Sequence, residues 1–203
     1  MRFKVLMLAA LLCALPFQAH GAYECYLRIK GAKQGDIKGS VTQKGREGMI
    51  RVIDFDYSVI SPRDPASGLA TGKRMHKPLT VTMELDRATP LLFQCIAGNE
   101  TLTDVTLEIW GPQMKAATGT GILVKVAEIT LKNGGVASFH TKLVKGESAT
   151  EKDLLVAEVM LTFQTITITY PEGGTTGFDS WEGNASMPGV RQMTLQPTAI
   201  GKA

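Results

Sequence analysis

The sequence predicts a mainly β protein, an antiparallel β-barrel with one short α-helix, and three observations predict it. Apolar residues recur at every second position along most of the chain, as in strands with one buried face. Clusters of Gly, Pro and Asn separate these runs at turn-like intervals. One segment alone, around residues 89–97, carries helix signals, and neither a βαβ alternation nor a helical repeat competes with it. Long strands joined by short turns favour closure, because a closed or nearly closed barrel removes the exposed edges that would pair with other chains.

The first 21 residues stand apart from that fold. Arg2 and Lys4 form a basic start, residues 5–15 an unbroken apolar run, and Pro16 a break before Ala19-His20-Gly21. Residues 1–21 are therefore expected to be a signal peptide cleaved after Gly21, the alternative being an N-terminal helix docked on the domain. An apolar run of eleven residues is shorter than the about 20 needed to span a bilayer. Neither Cys13 nor Cys25 follows the small and aliphatic residues that a lipoprotein site requires. Residues 22–181 make one domain, within the usual size of a single core, and residues 182–203 are expected to form a flexible tail.

Within the domain, Cys25, Leu27 and Ile29 alternate with Tyr26, Arg28 and Lys30, which predicts a first strand with one apolar and one wet face. Turn glycines follow at Gly31, Gly35, Gly39, Gly45 and Gly48. A second strand sets Ile53, Phe55 and Tyr57 against Asp54 and Asp56, and a third sets Leu79, Val81, Met83 and Leu85 against Thr80, Thr82 and Glu84. Between them lies the longest irregular connection, residues 61–77, opened by Pro62, Pro65 and Gly68. Loops above about 12 residues are uncommon in compact domains and are often binding elements.

The helix is predicted with Thr89 as its cap, Pro90 at its first position, where a missing N–H costs nothing, and Gly98 past its end. Leu91, Leu92, Cys95 and Ile96 form its inward face. Strands resume with Val105, Leu107 and Ile109, then residues 122–131, 136–144 and 154–170. In the last of these, Leu155, Val159, Leu161 and Phe163 share one phase, while Ile166, Ile168 and Tyr170 share the other. A bulge or a change of packing partner is therefore expected near Gln164.

The chemistry of the chain excludes several classes of function. Removing residues 1–21 takes away two positive charges and no negative ones, lowering the formal charge from +3 to +1. The remaining Lys and Arg residues are scattered among acids, so no nucleic-acid partner is expected, and no basic amphipathic helix points to membrane binding by the mature chain. His76 and His140 are the only mature histidines, and neither sits in a catalytic motif. No catalytic residue and hence no enzyme is expected. No CxxC, helical His pair or nucleotide-binding glycine loop suggests a metal or cofactor. Asp54 and Asp56 place two carboxylates on one sheet face, which fits a solvated strand better than a cation site. Cys25 and Cys95 both fall on apolar faces, and whether they pair as a disulfide is left open.

Four stretches, in order, resemble the haemolysin-coregulated protein (Hcp) family, a phage tail-tube-like barrel of type VI secretion. These are Tyr26-Leu27-Arg28-Ile29-Lys30-Gly31 with Gly35-Asp36 and Gly39-Ser40; residues 50–57; Arg74-Met75-His76-Lys77-Pro78-Leu79 with Asp86-Arg87-Ala88-Thr89-Pro90-Leu91-Leu92; and Phe163-Gln164, Ile166, Thr169-Tyr170-Pro171 and Gly173-Gly174-Thr175-Thr176 with Trp181. The resemblance implies a structural tube protein: six copies closing into a ring, rings stacking into a tube, and partnership with a spike protein and effector proteins. It also implies that residues 61–77 reach the neighbouring ring, with Arg63, Asp64, Pro65, Ser67 and Gly68 as the stacking contacts. Members of the family lack a signal peptide, so this chain departs from the pattern, and its expected location is secreted or periplasmic. The alternative reading is an exported periplasmic barrel that binds other proteins outside the injection machinery.

Overall fold

A computed structural model describes residues 23–114, 121–146 and 153–181, and the two-residue alternation accounts for most of what it contains. The elements run β1 (Glu24–Gly31), β2 (Gly35–Ile37), β3 (Ile50–Asp56), β4 (Val59–Ile60), β5 (Met75–His76), β6 (Leu79–Glu84), α1 (Thr89–Ala97), β7 (Leu102–Met114), β8 (Gly121–Val144), β9 (Leu154–Thr162), β10 (Thr165–Tyr170) and β11 (Thr175–Ser180). The expected signal peptide at 1–21 and tail at 182–203 lie outside the described residues.

The main sheet runs β11-β10-β8-β7-β1-β3-β6-β9, and β9 pairs a second time with β8. Six strands, β8, β7, β1, β3, β6 and β9, thus close a circuit, as the edge argument requires. All of its pairings are antiparallel. Leu27, Ile29, Leu79, Val81, Leu107 and Leu161 fill the interior with less than 2% of their surface exposed. Helix α1 lies across β8 and buries Leu92 and Cys95.

One strand does the work predicted for two. The stretch Asn133-Gly134-Gly135 reads as a turn between residues 122–131 and 136–144, yet β8 passes through it unbroken for 24 residues. Its first half pairs with β7 and with β10 (Glu128 to Lys132), and its second half with β9 (Gly135 to Val144). The expected change of partner near Gln164 is the point where β9 ends and β10 begins. The β10–β11 hairpin therefore extends the sheet beyond the barrel.

Local departures from the predicted alternation have physical causes. A bulge between Val52 and Asp54 turns Ile53 outward while Ile50, Val52, Phe55 and Tyr57 keep facing the core. Leu85, expected inside, lies past the end of β6 and is exposed, as is Leu91 on α1. Thr89 is not the cap. It is the first helical residue, and its Oγ1 accepts the Asp86 N–H at 3.0 Å, while Asp86 Oδ1 accepts the Ala88 N–H at 2.8 Å.

Tyr26, expected on the wet face of β1, is buried beneath the loop that follows β2. Arg46 of that loop stacks between the rings of Tyr26 and Trp110, 4.8 and 4.5 Å from their centroids, with Glu24 at 3.6 Å. Its Nε and Nη1 have no hydrogen-bond acceptor. The aromatic faces share the attraction with the Glu24 carboxylate, at about 0.5–2 kcal/mol per cation–π contact. Replacing Arg46 with Met keeps the aliphatic stem and removes the cation. It should cost about 1–2 kcal/mol in urea denaturation and speed amide exchange across residues 39–49.

Candidate functional site

Residues 61–77, expected to be an irregular connection, form the outer part of a built arm. Val59 pairs with His76 and Ile60 with Met75, and an isolated bridge joins Arg63 to Ala70. The ribbon is a sheet of its own, separate from the barrel. At its tip, Asp64 receives the backbone N–H groups of Ala66 and Ser67 at 3.3 and 3.1 Å and the Ser67 hydroxyl at 2.5 Å. The Ser67 hydroxyl and these N–H groups hold the Asp64 carboxyl below its ordinary range. Gly68 turns the chain at φ +70 and donates its N–H to Asp64 O, while Arg63 Nη1 donates to Gly68 O at 3.4 Å. Pro65 is exposed beside them. The predicted contact residues are thus brought together, but their polar groups largely satisfy one another.

The arm is fastened at its root by side chains that sequence reasoning did not assemble. His76 is 6% exposed. Its Nδ1 meets the Tyr57 hydroxyl at 2.8 Å, and its Nε2 faces Asp179 Oδ2 at 3.1 Å. The second contact lacks hydrogen-bond alignment. Arg74 grips the same carboxylate through Nε and Nη2 and donates to Ser180 O at 3.4 Å. Phe163 and Trp181 close over the imidazole, each with its ring centroid 5.6 Å away. The root thus joins the arm (Arg74, His76) and the end of β3 (Tyr57) to β11 (Asp179).

The electrostatics suit a clamp. Burial works against the Asp179 charge, but the Arg74 hydrogen bond, the Ser180 N–H and the charges of Arg74 and His76 together hold its carboxyl below the usual aspartate value. Burial, then the nearby Asp179 charge, push the Tyr57 hydroxyl up. The Asp-His-Tyr order imitates a proton relay, yet it ends on a hydroxyl harder to ionise than usual. The sequence signals for the root were the run Arg74-Met75-His76-Lys77-Pro78, residues 50–57 with Tyr57, and Phe163 with Trp181, whereas Asp179 lay in none of them.

The other singled-out residues lie elsewhere. His140 is exposed on β8. Cys25, on β1, and Cys95, on α1, are free thiols. Burial and the Glu100 charge raise Cys95 to about 11 against the lowering effect of a Gln34 hydrogen bond. Asp54 and Asp56 are both exposed, and no group of three or more metal-ligating side chains occurs among the described residues. The outer face of β1, β7, β8 and β10 is polar, with rows Arg28-Thr106-Thr130-Thr167 and Lys30-Asp104-Lys132-Thr165 in register. Lys132 pairs with Asp104, and Lys125 bridges Glu108 and Glu128, which stand directly opposite each other.

Comparison with known proteins places this architecture. The profile of the family described as "Type VI secretion system effector, Hcp" matches residues 26–170. The major exported protein of Pseudomonas aeruginosa is 32% identical over 169 residues, spanning 79% of this chain and 96% of that protein. Among solved structures, the Hcp1 protein of an E. coli pathovar is 28% identical with a TM-score of 0.67, covering 79% of this chain and 99% of that one. The secreted protein Hcp3 from Pseudomonas aeruginosa is 26% identical with a TM-score of 0.62, covering 79% and 99%. The matched span runs from β1 to the end of β10, so it holds the whole six-strand circuit and the arm, while Asp179 and Trp181 fall just beyond it.

Proposed function

Because the chain belongs to the Hcp family of type VI secretion proteins, we propose that it is a structural subunit of the secretion tube, six copies closing into a ring and rings stacking beneath a spike protein. The observation that carries the reading is a closed barrel bearing a clamped, self-bonded arm that forms a sheet of its own. A lone monomer has no use for such an arm, whereas a neighbouring ring gives it a surface to meet. The polar outer face of β1, β7, β8 and β10 suits the wall of a water-filled lumen, where effector proteins pass without sticking to apolar side chains. Cleavage after Gly21 belongs to the same proposal and gives a mature chain that starts at Ala22; intact-mass measurement of protein from the native host, retaining residues 1–21 in a soluble cytoplasmic pool, would overturn it.

The test of the tube replaces residues 65–71 with a short Gly-Ser linker. Halving a flexible loop changes closure entropy by only about 0.6 kcal/mol, and the tip buries little apolar surface, so thermal melting should be nearly unchanged. Electron microscopy should then show rings that no longer stack. Stacking as before makes the arm a passive insertion. Light scattering that finds only monomer for the unaltered mature chain, at high concentration, removes the ring itself.

A further inference from the structure

A groove of about 490 Å³ lies where the end of α1, the middle of β8 and the junction of β9 with β10 meet. That volume falls within the about 300–1,000 Å³ usual for small-molecule sites. Independently of the tube reading, we propose that the groove binds a neutral saccharide chain, with Trp181 as the stacking surface and the side-chain amides of Asn99, Asn133 and Gln164 as hydrogen-bonding partners. Trp181 is 51% exposed, yet it is held in place. Its backbone N–H donates to Gln164 O at 3.1 Å, and its ring packs on His76 and Phe163 with centroids 5.6 and 6.3 Å away. A fixed aromatic surface loses little freedom when a ligand covers it.

The polar lining selects the chemistry of the ligand. Asn99, Asn133 and Gln164 are exposed, and each amide carries both donors and an acceptor. No lysine or arginine lines the groove, and its only carboxylate is Glu100. That carboxylate is buried and engaged within the fold, accepting the N–H groups of Lys33 and Gln34 at 2.7 and 2.8 Å and the Gln34 amide at 2.9 Å. No charged group is therefore left for an ionic ligand. A pyranose ring meets every condition: its hydroxyls both donate and accept, it carries no charge, and its C–H face is apolar enough to pack on an indole. Gly134 and Gly135 line the groove with no side chain to fill it, and an added Cβ at Gly135 would meet nothing closer than 3.9 Å.

The experiment is titration calorimetry of the full mature chain with chitotriose and with maltotriose, neutral sugars with and without acetamido groups. Saturable binding of at least one is expected. Chitotriose alone would mean that the acetamido group is read, and both sugars that the hydroxyls suffice. Trp181→Ala should weaken binding by about tenfold or more, but it also opens the root of the arm. Gln164→Leu and Asn133→Gly avoid that difficulty, because the first keeps the side chain's bulk and the second suits the positive φ of 50. Both should melt with the parent and lose a similar share of affinity, while negatively charged trigalacturonate should not bind. Binding of neither neutral sugar, binding that survives both amide substitutions, or equal binding of trigalacturonate overturns the proposal. A peptide of residues 182–203 that binds where the sugars do not would overturn it too, making the groove a seat for the chain's own tail.

Discussion

Gly134→Ala is expected to destabilise the protein by about 3 kcal/mol or more, whereas Gly135→Ala, one residue along the same strand, should be neutral or slightly stabilising. A methyl group at position 134 would stand 1.9 Å from Thr162 O and 3.1 Å from Phe163 Cα. Both are backbone atoms, so relief requires β8 and β9 to separate. At position 135 the nearest atoms are 3.9 Å away, and the added methyl only narrows the unfolded ensemble, a gain of up to about 1 kcal/mol. Paired urea titrations of the two variants read the difference directly. Equal stabilities would mean that the two strands do not approach so closely at Thr162.

The effect of Gly134 should extend beyond stability. Thr162 is the last residue of β9, and the chain turns there into β10, whose hairpin carries Asp179 to the root of the arm. Pushing β9 off β8 displaces that hairpin. Gly134→Ala should therefore also loosen the arm, seen as faster amide exchange at His76 and across residues 59–60.

The same glycine shows which parts of the fold were legible in the sequence. Alternation identified β1, β6 and the phase change at Gln164, because each buries one face and each face is written in residue type. It failed where a backbone event changes phase without changing composition. The bulge at Ile53 is one such event, and the passage of β8 through Asn133-Gly134-Gly135 is another. Those glycines read as a turn because turns are where glycine is commonest, but here the missing side chain admits a neighbouring backbone. Asn133, at φ 50, adds the local bend without ending the strand.

The candidate site was legible in the same partial way. The length of residues 61–77 marked the arm, and its polar tip residues were the visible candidates. The clamp was not visible, because Tyr57, His76 and Asp179 are separated by 19 and 103 positions and no short motif joins them. Only the pairing of β10 with β8 and β11 brings Asp179 beside the arm. Equally, nothing in the spacing of Leu85, Leu143 and Leu155 distinguishes a strand end from a strand interior. The sequence supplies their hydrophobicity, while their place at the strand ends decides that it is exposed.

His76→Ala should cost about 2–4 kcal/mol, since it combines a cavity beneath Phe163 and Trp181 with the loss of a partner for Tyr57 and Asp179. Much of that cost should fall on the arm: exchange of residues 59–60 and 75–76 should rise well before global unfolding, and limited proteolysis should cut within residues 61–74. His76→Phe refills the cavity but leaves the Tyr57 hydroxyl without its partner, so it should recover part of the stability and little of the arm's protection. The acid response follows from Asp179, whose folded carboxyl is held below its unfolded value near 3.9. Its stabilising contribution is complete above that value and is lost as pH falls through the lower folded one. The parent arm should therefore stay protected from neutral pH down to about 4 and open only in stronger acid. Asp179→Asn should expose it already at neutral pH, with Arg74 left ungripped. An arm equally protected in the parent and in Asp179→Asn would show that Tyr57 and the aromatic rings alone hold the root, and that the carboxylate is a bystander.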